Sequence, residues 1–113
     1  MSSSTAPVSQ SPPLTPAVFA ILLALADGEK HGYAIMLEAR EHSAMGPGTL
    51  YGSLDRLLAS GFIAETGFTD DERRRYYRLT TSGKQALAAE AARMQQAVAR
   101  VRRKGIKPQE AAA

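Results

Sequence analysis

The apolar positions of the chain recur at helical spacing in four segments, and the most regular of these is Pro47–Gly61, PGTLYGSLDRLLASG. Its leucines stand at i, i+4, i+7 and i+8 and predict one buried stripe, formed by Leu50, Leu54, Leu57 and Leu58. Proline at the first helical position and glycine after the last one bound the helix. The opposite face is small or polar and carries Gly48, Thr49, Gly52, Asp55 and Arg56. Such a face suits a helix that lies close against a groove, although ordinary packing explains the leucines equally well.

Two apolar segments precede this helix. The first begins at Thr15-Pro16, an N-cap followed by an N1 proline, and is predicted to reach about Ala26. It is apolar enough to be largely buried or shared with a second subunit, through Val18, Phe19, Ile21, Leu22, Leu23 and Leu25. The second runs from about His31 to Glu41, and we expect Tyr33, Met36 and Leu37 to face inward. Three helices with tight connections predict a helix-turn-helix arrangement.

The pattern changes to strand spacing after Gly61. Phe62–Phe68 and Arg73–Leu79 read as two strands joined by the polar residues Thr69–Glu72. In the second strand the side chains alternate between two faces, with Arg75, Tyr77 and Leu79 on one and Arg74, Tyr76 and Arg78 on the other. A β-hairpin that directly follows a helix-turn-helix is a wing.

A fourth helix is predicted from an N-cap within Thr80–Ser82 to about Arg103. Its apolar residues are spaced 4, 3, 4 and 3 apart, as in the seam of a helix pair: Leu87, Ala91, Met94, Val98 and Val101. A helix of ~33 Å outruns so small a domain, so the seam favours a second chain over packing against the first helix of the same chain. We therefore expect a homodimer, with help from Val18, Ile21 and Leu22 of the first helix.

The predicted fold class is mainly α with a small β-hairpin (α+β), a winged helix-turn-helix with a long C-terminal dimerisation helix. The expected organisation is a disordered tail over residues 1–13, the winged helix-turn-helix domain over 14–80, the dimerisation helix over 81–104 and a loose tail over 105–113. A chain of 113 residues with 44% apolar residues suits one domain with a small core.

Charge and composition narrow the classes of function. The chain has no cysteine, no apolar run long enough for a bilayer and no signal-peptide pattern at its start, so a cytoplasmic location is expected. Its net charge is +3, and the basic residues form two clusters, Arg73, Arg74, Arg75 and Arg78, and Arg100, Arg102, Arg103, Lys104 and Lys107. The first cluster favours a polyanionic partner, whereas the second is interpreted as a solvated helix end. His31 and His42 lack partners at ligand spacing, so neither a metal nor a cofactor is expected.

The ordered motifs of this chain resemble those of the PadR-like transcriptional regulators over roughly Leu14 to Ala89. The matching segments are HGYAI (His31–Ile35), PGTLYGSLDRLLASGFI (Pro47–Ile63) and RRRYYRLTTSGKQAL (Arg73–Leu87). The resemblance implies a winged helix-turn-helix dimer, in most members a repressor, that binds inverted repeats of double-stranded DNA. It also implies that the C-terminal helix and the first helix form the dimer.

The chain departs from the family pattern at three places. Gly52 stands where proline is common, and the wing tip Thr69–Glu72 lacks the usual glycine and carries three carboxylates. The tip is therefore expected to stay away from phosphate while Arg73, Arg74 and Arg75 make the wing contacts. A single long helix follows the wing, which resembles the short subfamily without the larger C-terminal effector domain. The chain has no Trp, which argues against the Trp-containing inter-subunit drug pocket of some short members.

Each candidate DNA contact has a structural alternative. Gly48, Thr49, Gly52 and Arg56 are candidates for the major groove, where Arg56 can read guanine or can instead pair with Asp55 or Glu38. Tyr51 can bind phosphate or brace the third helix against the second. Tyr33, which follows His31 and Gly32 at a helix N-terminus, can meet phosphate or lie in the core. The wing arginines contact phosphate or the minor groove, or form a solvated basic strand.

The leading interpretation is a sequence-specific DNA-binding repressor, not an enzyme. No nucleophile triad, carboxylate pair or glycine-rich phosphate loop is recognisable in the sequence. The alternative is a winged-helix module that binds protein instead of DNA. The small face of the third helix and the wing arginines favour DNA.

Overall fold

The computed structural model describes residues 12–69 and 74–110. Outside this part of the chain lie residues 1–11 of the tail expected over 1–13, residues 70–73 with most of the wing tip and Arg73, and residues 111–113. The elements in order are α1 (Pro16–Ala24), β1 (Lys30–His31), α2 (Gly32–Ala39), α3 (Pro47–Ser60), β2 (Ile63–Thr69), β3 (Arg75–Leu79) and α4 (Thr81–Arg103). Four helices and a small antiparallel sheet confirm the predicted α+β fold class.

Helix α1 runs through the centre of the core. Its N-cap is formed by the Thr15 hydroxyl, which accepts a hydrogen bond from the Val18 N–H at 3.1 Å. Ile21 and Leu22 are fully buried within their own chain, whereas Leu23 is 43% exposed. The expectation that Ile21 and Leu22 belong to a dimer interface is therefore corrected. Both side chains pack inside the core of their own chain, and Leu23 is the residue beside them that faces outward.

Helix α2 presents a different face to the core from the one predicted. Its buried residues are Gly32, Ile35, Met36 and Ala39, at i, i+3, i+4 and i+7. Met36 faces inward as expected, but Tyr33 is 56% exposed and Leu37 is 48% exposed. The prediction that Tyr33 and Leu37 face inward is wrong. The buried face contains Gly32 and Ala39 instead, and their small size allows α2 to pack closely on its neighbours.

Helix α3 has the predicted bounds, with Gly46 at its N-cap and Gly61, at φ +81°, at its C-cap. Leu50, Leu54 and Leu57 are buried and Leu58 packs against the core from its edge, so the predicted stripe is confirmed.

The sheet contains one strand that the sequence did not reveal. Strands β2 and β3 pair antiparallel as the predicted hairpin, with Ile63 opposite Leu79. The short strand β1 lies on the other side of β3, where Lys30 pairs with Tyr77 and His31 with Tyr76. The strand order is therefore β1-β3-β2, and β3 is central.

Helix α4 is capped by Thr80, which confirms an N-cap in the Thr80–Ser82 segment. Leu87 packs against the core, while farther along Met94, Val98 and Val101 are 39%, 42% and 38% exposed. The apolar side chains in the second half of α4 are therefore not buried in the core of this chain. In the described part of the chain, no helix combines the length and apolar character needed to cross a membrane.

Candidate nucleic-acid interface

The outer face of α3 is exposed where the sequence predicts a reading surface. Gly48, Thr49 and Arg56 are accessible and Gly52 is half-buried. The Arg56 guanidinium lies back along the helix, where its Nη2 donates to the Ser53 hydroxyl at 3.4 Å. No ion pair joins Arg56 to Asp55 or Glu38 within the described residues, and Glu38 lies 3.5 Å from Lys30 instead. A weak local hydrogen bond leaves the guanidinium able to reach outward.

His31 organises the N-terminus of α2. Its Nδ1 accepts a hydrogen bond from the Ala34 N–H at 3.3 Å, which makes His31 the N-cap of the helix. In the neutral ring an accepting Nδ1 leaves the hydrogen on Nε2, so the other nitrogen is a donor. The ring also meets Tyr76 of the wing edge to face, with centroids 5.5 Å apart. His31 therefore connects α2 to the wing.

Tyr51 crosses from α3 onto this helix N-terminus. A Cβ atom at residue 32 would lie 2.9 Å from the Tyr51 hydroxyl oxygen and 3.0 Å from a ring carbon, so the close contact requires Gly32. Tyr51 thus braces α3 against α2, as one of its two predicted roles required. It is nevertheless 49% exposed. Tyr33, more exposed still, is not a core residue.

These groups and the start of β3 surround a shallow pocket of about 180 Å³, which we call the α2–wing pocket. It is lined by His31, Gly32, Tyr33, Tyr51, Arg74, Arg75 and Tyr77. The arginine guanidinium groups and the tyrosine phenols of this lining can donate hydrogen bonds to an anion, and no carboxylate of the described residues is part of it. The arrangement can hold one phosphate group of a nucleic-acid backbone.

Within the described part of the wing, the carboxylate of Glu65 lies beside one of the arginines. The exposed Arg75 side chain has an Nη1 atom 3.5 Å from Oε1 of Glu65 on the neighbouring strand. Burial, and then the charge of Glu65, raises the pKa of Tyr77 above its ordinary value. Tyr77 is therefore neutral at physiological pH and adds no negative charge beside a bound phosphate. Arg73, the third predicted wing contact, lies outside the described residues.

The predicted contacts fall into two groups. The α2–wing pocket brings together His31, Tyr33, Tyr51, Arg74 and Arg75, whereas Gly48, Thr49, Gly52 and Arg56 lie on α3 outside its lining. Sequence reasoning missed Gly32 and Tyr77 as parts of the pocket. A glycine between His31 and Tyr33 was the available signal for Gly32, because a missing side chain permits a ring to approach the backbone.

Comparison with known proteins points to a family of transcriptional regulators. Residues 21–89 match the model of the transcriptional regulator PadR-like family. The transcriptional regulator Rv3488 of Mycobacterium tuberculosis is 42% identical over 69 residues, which cover 59% of this chain and 64% of that protein. The chain spans less than two thirds of the curated relatives it matches, 24% of one and 64% of the other.

Two solved structures extend the comparison. A PadR family transcription regulator from Clostridium difficile R20291 shares the fold, with a TM-score of 0.70 and 24% identity over 79% of this chain and 97% of that chain. Bacillus subtilis PadR in complex with operator DNA has a TM-score of 0.57 and 30% identity, over 63% of this chain and 44% of that chain.

Proposed function

Because the chain belongs to the PadR-like family of transcriptional regulators, we propose that it is a repressor that binds an inverted-repeat operator as a homodimer. Helix α3 enters the major groove and supplies sequence specificity. The α2–wing pocket binds the DNA backbone and supplies mainly affinity. No catalytic step is part of this function.

The observation that carries the proposal is the composition of the α2–wing pocket. Three elements that are distant in sequence converge there, and each contributes a hydrogen-bond donor or a positive charge. A DNA phosphate needs this combination, because most contacts that position a protein on a duplex are made to phosphate oxygens. Arginine and tyrosine also occur in protein interfaces, but their convergence on one small pocket fits a single anionic group.

Sequence discrimination is assigned to the outer face of α3. Arg56 can extend from Ser53 to a guanine edge, since a guanidinium matches the O6 and N7 acceptors of guanine bidentately. Thr49 can meet phosphate or a thymine methyl group. The absence of a side chain at Gly48 and Gly52 lets the helix backbone approach the groove floor.

The dimer is proposed to form through the exposed half of α4. The half-exposed side chains Met94, Val98 and Val101 continue the heptad-like spacing that begins at Leu87 and Ala91. Such a stripe of apolar side chains favours a helix partner over solvent. Val18 and Leu23 of α1 are candidates for the margin of the same interface. A two-fold dimer reads half-sites about one DNA turn apart, ~34 Å, or a multiple of it.

Arg56→Ala tests the proposal directly. Binding to the duplex of the chain's own promoter and to a scrambled duplex is compared at one salt concentration, with Arg103→Ala as the control for loss of one positive charge. We expect Arg56→Ala to lose ~1–3 kcal/mol on the promoter duplex and little on the scrambled one. Equal losses on both duplexes would assign Arg56 to the backbone, and a wild-type protein that binds neither duplex would refute DNA binding.

A further inference from the structure

Three hydrogen bonds meet at Thr80, and two of them join the start of α4 to the segment that leaves α3. The Thr80 hydroxyl donates to the Gly61 carbonyl oxygen at 2.6 Å, and the same hydroxyl oxygen accepts from the Gly83 N–H at 3.1 Å. The Thr80 N–H donates to the Phe62 carbonyl oxygen at 3.1 Å. One residue therefore caps α4 and ties it to the segment that leaves α3.

Gly83 allows the two segments to touch. A Cβ atom at this position would lie 2.0 Å from the carbonyl oxygen of Phe62 and 3.0 Å from a methyl carbon of Leu79. The first obstacle is backbone, which cannot rotate away as a side chain end does. Any larger residue at position 83 must therefore separate the first turn of α4 from the α3–β2 connection by about 1 Å before that contact reaches 3.0 Å.

A displacement of this size is amplified along the helix. Helix α4 has 23 residues, so it is ~34 Å long, and a tilt of 1 Å over its first turn moves the far end by about 6 Å. If the far halves of two α4 helices are fixed against each other, the tilt appears at the other end, as a movement of each α3.

We propose that Thr80 and Gly83 are positioning residues that set the separation of the two α3 helices in the dimer, and thereby the half-site spacing that the dimer accepts. This inference rests on the proposed function for its dimer and its operator. It adds that spacing is determined at a junction that touches neither the DNA-facing surface of α3 nor the exposed half of α4.

The separation of the α3 helices can be measured without DNA. The chain has no cysteine, so Asp55→Cys on the exposed face of α3 introduces one spin-label site per subunit. Pulsed electron paramagnetic resonance then gives the distance between the two labels in Gly83→Ala, Thr80→Val and Thr80→Ser backgrounds. Ser82→Ala, an exposed position in the same turn, is the matched control.

Gly83→Ala is expected to shift the distance distribution and Thr80→Val to broaden it. Thr80→Ser retains the hydroxyl and should resemble the wild type, as should Ser82→Ala. Thr80→Val puts a methyl group where the hydroxyl oxygen lies 2.6 Å from the Gly61 carbonyl oxygen, which needs a smaller shift than the 2.0 Å contact made by Gly83→Ala, so it keeps the test decisive if Gly83→Ala does not fold. Distributions that match the wild type in both Gly83→Ala and Thr80→Val overturn the inference, and so does the absence of any distance between subunits.

Binding to duplexes whose half-site separation varies by single base pairs supplies the second measurement. Gly83→Ala should lose about tenfold or more at the wild-type optimum, the effect of one mismatched base pair, and lose less at a neighbouring spacing. A uniform loss at every spacing overturns the inference. If the wild type itself shows no spacing preference, the proposed operator is refuted while the label distances still decide the role of the junction.

Discussion

Replacing Arg75 with alanine should weaken DNA binding and flatten its dependence on salt. Arg75 begins β3 at the rim of the α2–wing pocket, and its side chain is 71% exposed. Its ion-pair partner Glu65 is 42% exposed. Because such exposed pairs contribute only ~0.2–1 kcal/mol to folding, the variant should remain folded and the change in binding should report the lost charge.

The magnitude follows from counterion release. Each phosphate contact that is lost removes about 0.9 from the slope of log K against log salt, so a dimer that loses two contacts loses about 1.8. Between about 50 and 200 mM salt, a fourfold change, the advantage of the wild type over Arg75→Ala should therefore shrink about 12-fold. Glu65→Gln should act in the opposite direction, because it removes a negative charge beside the phosphate and releases Arg75 from its ion pair.

Fluorescence anisotropy of a labelled duplex across this salt range measures the slope. Arg103→Ala is the matched control, since it removes the same charge at the far end of α4. An unchanged slope for Arg75→Ala would remove the wing from the DNA interface. Equal loss of slope in both variants would show that net charge, rather than a contact in the α2–wing pocket, governs binding.

Three further variants test the dimer, the packing of α4 and the pocket. Met94→Glu should bury unpaired charge in the proposed seam at a cost of several kcal/mol, so sedimentation should show monomer, and an undisturbed dimer would place the interface elsewhere. Hydrogen bonds from the Leu14 backbone N–H and then from the Arg93 guanidinium hold the pKa of Glu90 below its ordinary 4.5. The stability that this lowered pKa contributes is fully present above pH 4.5 and is lost as the pH falls through the pKa of the folded state. The difference in Tm between wild type and Glu90→Gln should therefore close in acid. A difference in Tm that persists in acid would contradict this expectation. Gly32→Ala should displace Tyr51 and lower DNA affinity about fivefold, as for one lost hydrogen bond, with little change in Tm; a large loss of Tm would make Gly32 purely structural.

Long periodic segments were predictable from sequence, and short ones were not. The leucine stripe of α3 and the spacing along α4 each repeat over several turns, so the buried face of α3 was correctly placed. Helix α2 has only eight residues, and its apolar positions fit more than one face. The prediction that Tyr33 and Leu37 face inward overlooked Gly32 and Ala39, whose small size permits close helix packing.

The site was predictable in its residue types but not in its geometry. Tyrosine and histidine near a helix N-terminus, together with arginines on a wing, indicate phosphate binding by their residue types alone. Their convergence depends on contacts between distant segments, such as the Tyr51 ring on the backbone of Gly32 and the Glu65 carboxylate beside Arg75. The sequence pattern of one segment cannot predict such contacts, because each contact joins residues from two segments that are distant in sequence.

Strand β1 gives these separate contacts a common frame. Its two residues pair with Tyr76 and Tyr77 of β3, immediately after the wing arginine Arg75. The next residue, Gly32, opens α2, so the sheet holds the N-terminus of α2 and the base of the wing in fixed register. A phosphate that binds the α2–wing pocket as proposed would therefore meet parts that are already positioned relative to each other, and the ordering cost of assembling them would be met during folding rather than on DNA.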